Sequence, residues 1–316
     1  MLLSAFLIII GFTFLIASAD LLVDGSSGIA KKFHIPEIII GLTIVSIGTS
    51  MPELFVSITS ALEGHSDMSI GNIIGSNISN LLLILGLSAI IKPVTFQKET
   101  RLFEIPMCLF FTIIFMIFSN TNAGISRIEG IALLLLFCMF LGYTIFMGIR
   151  ESKNSKEKTE TKEEKTNSTL KNILLIILGI IGLKAGGDLT VNNAVNVANY
   201  FNISEKIISL TILAVGTSLP ELVTSVMAAI KGNSDIAIGN IIGSNIFNIL
   251  LILGVAAIIK PITYNLTYNF DLSILMVATV ILAIFPFIPP KEKMSRANGI
   301  IYLLMYIAYL TIIIVK

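Results

Sequence analysis

The sequence predicts an all-α membrane protein of about ten transmembrane helices, laid out as two inverted five-helix repeats. Three observations carry that prediction. Of 316 residues, 55% are hydrophobic and only 13% charged, whereas a soluble domain carries about 25% charged residues. Apolar windows of about 20 residues, long enough to cross a bilayer as a helix, recur along the chain. The second set of windows repeats the first. Shifted by 168 residues (198 − 30), Ala30–Pro93 aligns with Ala198–Pro261, with identity at about 40 of some 64 positions, far more than unrelated apolar segments share.

Taken in order, the first window runs from Leu2 to about Leu22. It lacks the basic n-region of a cleaved signal peptide and reads as a retained span. Further spans fall at roughly 37–62, 70–91, 102–119 and 128–148, and again at about 172–194, 205–230, 237–259, 269–288 and 297–315. The stretch 150–171 mixes Lys and Glu with Ser, Thr and Asn. It has little to bury and reads as a flexible aqueous linker. The expected organisation is a first membrane repeat over 1–149, a charged linker over 150–171 and a second membrane repeat over 172–316. Five spans per half is an odd number, so the halves enter the membrane with opposite orientation. That is the inverted-repeat plan of many secondary transporters, which place their site at the midplane.

Loop charges set the orientation. With the N-terminus outside, Lys31, Lys32, Lys92, Lys98, Arg101, the basic residues of the linker, Lys231, Lys291, Lys293 and Arg296 face the cytoplasm. Arg127, Lys206, Lys260 and Lys316 face the other side. The positive-inside rule therefore predicts a multi-pass protein of the cytoplasmic membrane with both termini outside. Lys184 falls within a span and is expected to snorkel.

Gly48-Thr49-Ser50-Met51-Pro52-Glu53 interrupts the second span. A carboxylate near the bilayer centre costs at least about 2.5–3.5 kcal/mol on insertion scales. Pro52 removes a backbone donor and clashes with the carbonyl of Gly48, so a kink is expected just before Glu53. Thr49 and Ser50 lie four and three residues before Glu53, on the same helix face. Carboxylate, hydroxyls and freed carbonyls together make the all-oxygen kind of site that hard cations prefer. The motif returns as Gly216-Thr217-Ser218-Leu219-Pro220-Glu221. The structural alternative is a protonated Glu hydrogen-bonded inside the bundle. A motif present twice, each time with Pro and hydroxyls, favours function.

After each glutamate comes a polar stripe: Asn72, Ser76 and Asn80 are spaced by four, and Asn240, Ser244 and Asn248 repeat them. Gly71 and Gly75, like Gly239 and Gly243, form small faces for close helix approach. The amides of Asn72, Asn77 and their repeats have two readings: glue across the repeat interface, or oxygens that help complete a cation shell. Other acidic residues read as structural. Asp67 and Asp235, with Ser66 and Ser234, look like helix N-caps. Glu37, Glu205 and Asp271 look like first-turn residues favoured by the helix dipole. Asp20 and Asp188 sit at the ends of first spans, as structural residues or as guides at a cation mouth. His34 and His65 fall in loops, and Cys108 and Cys138 read as small buried hydrophobes.

Net charge is +1, which supports no nucleic-acid partner. His-Glu-x-x-His, Gly-x-Ser-x-Gly and phosphate-binding loop signatures are missing, so no enzyme is predicted and transport would run on an ion gradient. No cofactor and no obligatory protein partner is evident. The partners are the lipid bilayer and the transported ions. Two glutamates carry a charge of −2, which one divalent or two monovalent cations neutralise. With water excluded, Coulomb energies grow several-fold, so such ions compete for the same carboxylates. Hydroxyls, amides and loosened carbonyls suit calcium better than magnesium, and the lack of His and Cys spacing argues against zinc or copper.

The paired Gly-Thr-Ser-x-Pro-Glu and Gly-Asn-x-x-Gly-Ser-Asn motifs resemble the two alpha repeats of the sodium/calcium exchanger family, across essentially the whole chain and most like its compact prokaryotic members. The resemblance implies ten helices in two inverted halves. The second, third, seventh and eighth helices hold the ions, and the first and sixth slide across them. It also implies that Glu53 and Glu221 bind calcium directly, with backbone carbonyls from Thr49 and Thr217. Ser50, Ser218, Ser76 and Ser244 would complete sodium sites, and the carbonyls of Ser46 and Ala214 would join the outer ones. Asn80 and Asn248 occupy the remaining ligand positions. Several family members, including potassium-dependent ones, carry an Asp at the second of these or its equivalent, so two uncharged amides make potassium co-transport the weaker reading. The expected activity is electrogenic sodium/calcium antiport by alternating access. Alternatives are calcium/proton antiport on the same glutamates, potassium-dependent exchange, or a cation channel, which would need a continuous pore.

Overall fold

The computed structural model describes residues 2–121, 124–158, 168–201, 214–289 and 291–315, with side chains at all of these except 154–158 and Ala214. Linker residues 159–167, the start of the expected span at 205–230 with Glu205 and Lys206, and Lys316 lie outside the described residues.

Helix dominates, as an apolar environment demands, because only intrahelical bonds satisfy each backbone amide without water. In chain order the helices are α1 (Leu2–Phe33), α2 (Glu37–Thr49), α3 (Met51–Glu63), α4 (Ser66–Ile91), α5 (Thr100–Asn120), α6 (Arg127–Lys158), α7 (Thr169–Tyr200), α8 (Ala214–Thr217), α9 (Leu219–Lys231), α10 (Ser234–Ile259), α11 (Leu266–Phe287) and α12 (Arg296–Val315). Among the described residues, eight are long and apolar enough to cross a membrane, or nine if the bent pair α2–α3 is one span. α1 and α7 run well past the expected ends at 22 and 194. α6 continues to Lys158 and α7 begins at Thr169, so both helices extend into the segment read as linker.

The fold is not purely helical. Two-residue strands β1 (Val94–Thr95), β2 (Gly124–Ile125), β3 (Ile262–Thr263) and β4 (Lys293–Met294) pair antiparallel as β1–β4 and β2–β3. Pro93 and Pro261 follow the ends of α4 and α10 and hold the chain extended. Each pair joins one half of the sequence to the other. Runs this short leave no periodic signal in the sequence.

The expected kink is present. Between α2 and α3 the chain bends by 50°, at Ser50, whose φ of −83° and ψ of 10° leave the helical region. Ser218 breaks the chain in the same way before α9, with φ −89° and ψ 8°. In both cases proline opens the following helix, where its missing N–H costs no intrahelical bond.

Two layers set the position of these breaks. α4 and α10 are almost wholly buried in the middle. α10 packs against α2 through glycines: a Cβ on Gly239 would stand 2.6 Å from the Ile38 carbonyl oxygen and 2.9 Å from Gly41 Cα. The long, largely lipid-facing pair α1 and α7 packs together outside them. There, a Cβ on Gly11 would meet the Gly186 carbonyl oxygen at 3.0 Å, and one on Gly179 would meet Leu22 Cβ at 2.8 Å.

Charged pairs tie the helices along their length. Lys231 Nζ lies 2.6 Å from both Asp20 and Asp24, and Lys184 bonds Asp188 at 2.8 Å rather than snorkelling alone. Both acids read as possible cation guides are therefore engaged with lysines. Asp67 and Asp235 lie inside the first turns of α4 and α10. The N-cap positions are His65 and Asn233, with no side-chain cap bond, so the expected capping role is not met. Asp235 instead accepts a hydrogen bond from Gln97. Glu37 opens α2, and Asp271 lies in the first α-helical turn of α11, which starts at Asn269 after a 3-10 turn; they accept from Ser27 and Tyr309 respectively. His34 and His65 lie outside helices, as expected. Cys108 is buried, but Cys138 is exposed on α6, a lipid-facing position that a thiol tolerates as a small hydrophobe.

Because the α2–α10 contact is backbone against backbone, Gly239→Val should destabilise the protein by about 1–3 kcal/mol. Gly142→Ala, with nothing within 4 Å of the added methyl, should be neutral or stabilising. Thermal unfolding in detergent reads both.

Candidate functional site

The two chain breaks meet in the protein interior. Glu53 and Glu221 each open the helix that follows a break, and both are fully buried, at 0% exposure. Each carboxylate takes a hydroxyl from the opposite half. Ser50 Oγ donates to Glu221 Oε1 at 2.8 Å, and Ser218 Oγ donates to Glu53 Oε1 at 3.4 Å. Ser76 Oγ, from α4, also donates to Glu53 Oε1, at 3.3 Å. Ser244 of α10 stands beside Glu221, with its hydroxyl making no well-formed hydrogen bond. The cross-half hydroxyls of Ser50 and Ser218 bring both carboxylates into one buried region.

The main chain at each glutamate is braced in the same manner. Asn72 Nδ2 donates to the Glu53 carbonyl at 3.2 Å and to Ser57 Oγ at 3.0 Å. Asn240 Nδ2 donates to the Glu221 carbonyl at 3.5 Å and to Ser225 Oγ at 2.9 Å. The halves then differ. Thr49 Oγ1 donates to Asn240 Oδ1 at 2.9 Å, whereas Thr217 Oγ1 is buried with no partner. Ser46 keeps its hydroxyl on the Leu42 carbonyl, and its own carbonyl accepts from Ser50 N at 3.0 Å. Ala214 is the first residue of α8.

The second pair of motif asparagines sits one turn deeper. Asn80 and Asn248 are fully buried, at or next to the start of π-helical turns over Ser79–Leu85 and Asn248–Ile252. A π-turn inside an α-helix widens the ring and redirects side chains, and such turns gather at functional sites. Their Nδ2 atoms donate across the halves, Asn80 to Asn245 Oδ1 at 3.0 Å and Asn248 to Asn77 Oδ1 at 2.9 Å.

Several buried oxygens of this region have no hydrogen-bond partner: Glu53 Oε2, Glu221 Oε2, Asn80 Oδ1, Asn248 Oδ1, Thr217 Oγ1 and Ser244 Oγ. Unpaired buried polar atoms are rare in native proteins, and each one missing a partner costs about 1–3 kcal/mol. Here the glutamate and asparagine atoms recur in both halves, Thr217 and Ser244 belong to the second half alone, and all six are oxygens. That is a donor set for a hard cation.

A family model described as sodium/calcium exchanger protein matches residues 3–146 and 171–315 of the chain. The chain belongs to the sodium/calcium exchanger family. It is 33% identical to the sodium/calcium exchanger MaX1 of Methanosarcina acetivorans, over 97% of each sequence. It is 37% identical to the inner membrane protein YrbG of Escherichia coli, over 90% of this chain and 89% of that one. The structure superposes on the sodium-calcium exchanger NCX_Mj, soaked with sodium and calcium, with a TM-score of 0.85 and 33% identity over 98% of both chains. This family consists of exchangers rather than enzymes, and sodium/calcium exchangers carry their ions as substrates.

Of the residues singled out from sequence, the structure gathers Glu53, Glu221, Ser50, Ser218, Ser76 and Ser244 around the two carboxylates. Thr49 joins them through Asn240, while Asn80 and Asn248 stand over the interface between halves. Sequence reading passed over Ser57 and Ser225. Each lies four residues after its glutamate, and their recurrence at the 168-residue shift was the signal that marks them. The π-turns have no such signal.

Replacing Asn240 with Leu removes three hydrogen bonds, with the Ser225 and Thr49 hydroxyls and the Glu221 carbonyl, while Asn72→Leu removes two. Both should lower the melting temperature of the purified protein. The Asn240 variant should lose about 1 kcal/mol more, the worth of the additional buried hydrogen bond.

Proposed function

We propose that this protein is a secondary active antiporter that exchanges sodium for calcium by alternating access at a midplane site built on Glu53 and Glu221. The observation that carries the reading is the reciprocal reach of Ser50 and Ser218 to the glutamate of the other half, in a chain of the sodium/calcium exchanger family. Calcium would sit between the two carboxylates, with the Thr49 and Thr217 carbonyls and the amide oxygens of Asn80 and Asn248. Sodium would use Ser50, Ser218, Ser76 and Ser244, with the Ser46 and Ala214 carbonyls in outer sites. A divalent ion and several monovalent ions cannot all be held by a charge of −2, so binding one class expels the other.

In this reading α2 with α3, and α8 with α9, are single broken spans. The chain is then ten helices in two inverted halves, 1–149 and 172–316, joined by the charged segment 150–171. It lies in the cytoplasmic membrane with both termini outside. The halves are equivalent in sequence but not in contacts, since Thr49 is bonded to Asn240 and Thr217 is not. A transporter that alternates by letting its halves trade conformations must be asymmetric in any one state. Asn80 and Asn248 add no charge, which leaves potassium without a carboxylate of its own.

The test is calcium uptake into proteoliposomes under an imposed outward sodium gradient, repeated with potassium on either side and with a pH gradient in place of sodium. Sodium should drive uptake without potassium, and a pH gradient should not. Glu53→Gln and Glu221→Gln should each reduce uptake to the level of empty liposomes while the protein stays folded. Sodium-driven uptake at wild-type rate by either variant rejects the site, and uptake driven only by pH rejects the ion.

A further inference from the structure

The four asparagines at the interface of α4 and α10 form a closed, two-fold arrangement. Asn77 Nδ2 donates to the Asn245 carbonyl oxygen, and Asn245 Nδ2 donates to the Asn77 carbonyl oxygen, both at 3.3 Å. A backbone carbonyl can only accept. Each of these amides must therefore turn its nitrogen toward the opposite main chain and its Oδ1 the other way. Asn77 Oδ1 then accepts from Asn248 Nδ2 at 2.9 Å, and Asn245 Oδ1 accepts from Asn80 Nδ2 at 3.0 Å. That orients the second pair as well. With their nitrogens committed to the interface, Asn80 and Asn248 are left with buried Oδ1 atoms that have no partner. All four residues are buried, with at most 1% exposure. Asn80 lies one helical turn beyond Ser76, which bonds Glu53, and Asn248 one turn beyond Ser244, which faces Glu221.

We propose that Asn77 and Asn245 are positioning residues for ion selection: they hold the Asn248 and Asn80 amides oxygen-first toward the two-glutamate site. The inference rests on the reading that this site binds the transported cations. An amide has two faces of opposite chemistry and turns by rotation about a single bond. Without its partner, Asn248 gains by turning its NH2 toward the carboxylates and bonding them. The same motion removes a cation ligand and fills the site with a competing donor. Calcium, which needs more oxygens than sodium, loses most.

The experiment is a double-mutant cycle in proteoliposomes, with half-saturating calcium, half-saturating sodium and maximal turnover measured separately. Asn77→Val should raise half-saturating calcium about tenfold, the worth of one fixed hydrogen bond, with a smaller change for sodium and turnover at saturation largely kept. Asn248→Asp supplies the discriminating background, because a carboxylate has two equivalent oxygens and no wrong way round. There, Asn77→Val should shift half-saturating calcium less than about twofold, a coupling that residues acting independently on the site do not show. The mirror pair, Asn245→Val with Asn80→Asp, should behave alike. Asn77→Ser is carried in parallel as the milder truncation. An equal calcium shift in both backgrounds, or loss of folding by both Asn77 variants in both, makes these amides structural glue and overturns the proposal. A wild-type protein that fails to exchange calcium overturns the reading of the site instead.

Discussion

Two buried carboxylates answered only by neutral donors are the constraint on which the rest of the structure depends. Glu53 and Glu221 are withdrawn completely from the surface, and each has one oxygen on a serine hydroxyl and one with no partner. Burying an ionised group costs several kcal/mol unless it is paired. Among the described residues, lysine and arginine spend their charges elsewhere: Arg101 on Glu292, Lys184 on Asp188, Lys231 on Asp20 and Asp24. Replacing both Ser50 and Ser218 with lysine would remove the electrostatic debt permanently. It would also leave nothing for a diffusible cation to do. Serines hold the carboxylates in place without cancelling their charge.

Holding a charged pair so far from water requires the backbone to be broken there and rigid everywhere else. Proline after Ser50 and Ser218 supplies the breaks, and each break lifts the following helix N-terminus, with its free N–H groups, toward a glutamate. Rigidity comes from glycine. Gly239 and Gly243 let α10 approach α2 at backbone distance, so the two halves meet as packed main chains rather than through flexible side chains. Asn72 and Asn240 then fasten the carbonyls of the glutamates themselves. The order of events along the chain, break, glutamate, turn, polar stripe, is a single device used twice.

Much of this was legible before any coordinates. Pro52 and Pro220 foretold the breaks, since proline cannot accept a place one turn into a continuous helix. The repeat foretold two equivalent glutamates, and the resemblance in the motifs foretold the family. Other features escaped for identifiable reasons. The strands β1–β4 are two residues long and carry no alternation to detect. The π-turns after Ser76 and Ser244 arise from how the helix packs around the interface, which local sequence does not encode. The ends of α1, α6 and α7 overran expectation because hydropathy marks where lipid begins, whereas a helix continues through water for as long as its residues allow. Asp67 and Asp235 lie two positions past the N-caps, because the serines before them already lie within the helix.

The asparagines show most clearly what sequence leaves open. Spacing placed Asn72, Asn80 and their repeats on one face, and it allowed both glue and ligand for Asn72 and Asn77. The structure divides the roles by atom. Asn72 and Asn240 are spent on the main chain of the glutamates; Asn77 and Asn245 are spent on one another's backbone. Only Asn80 and Asn248 keep an oxygen in reserve. The nitrogen of an amide is what makes that reserve stable: it gives the side chain a bond to the other half that an acidic residue could not make to Asn77 Oδ1 or Asn245 Oδ1. A carboxylate at the same place would bring more charge and less fixed direction. With two uncharged amides, Glu53 and Glu221 remain the only acidic side chains among the described residues of this region.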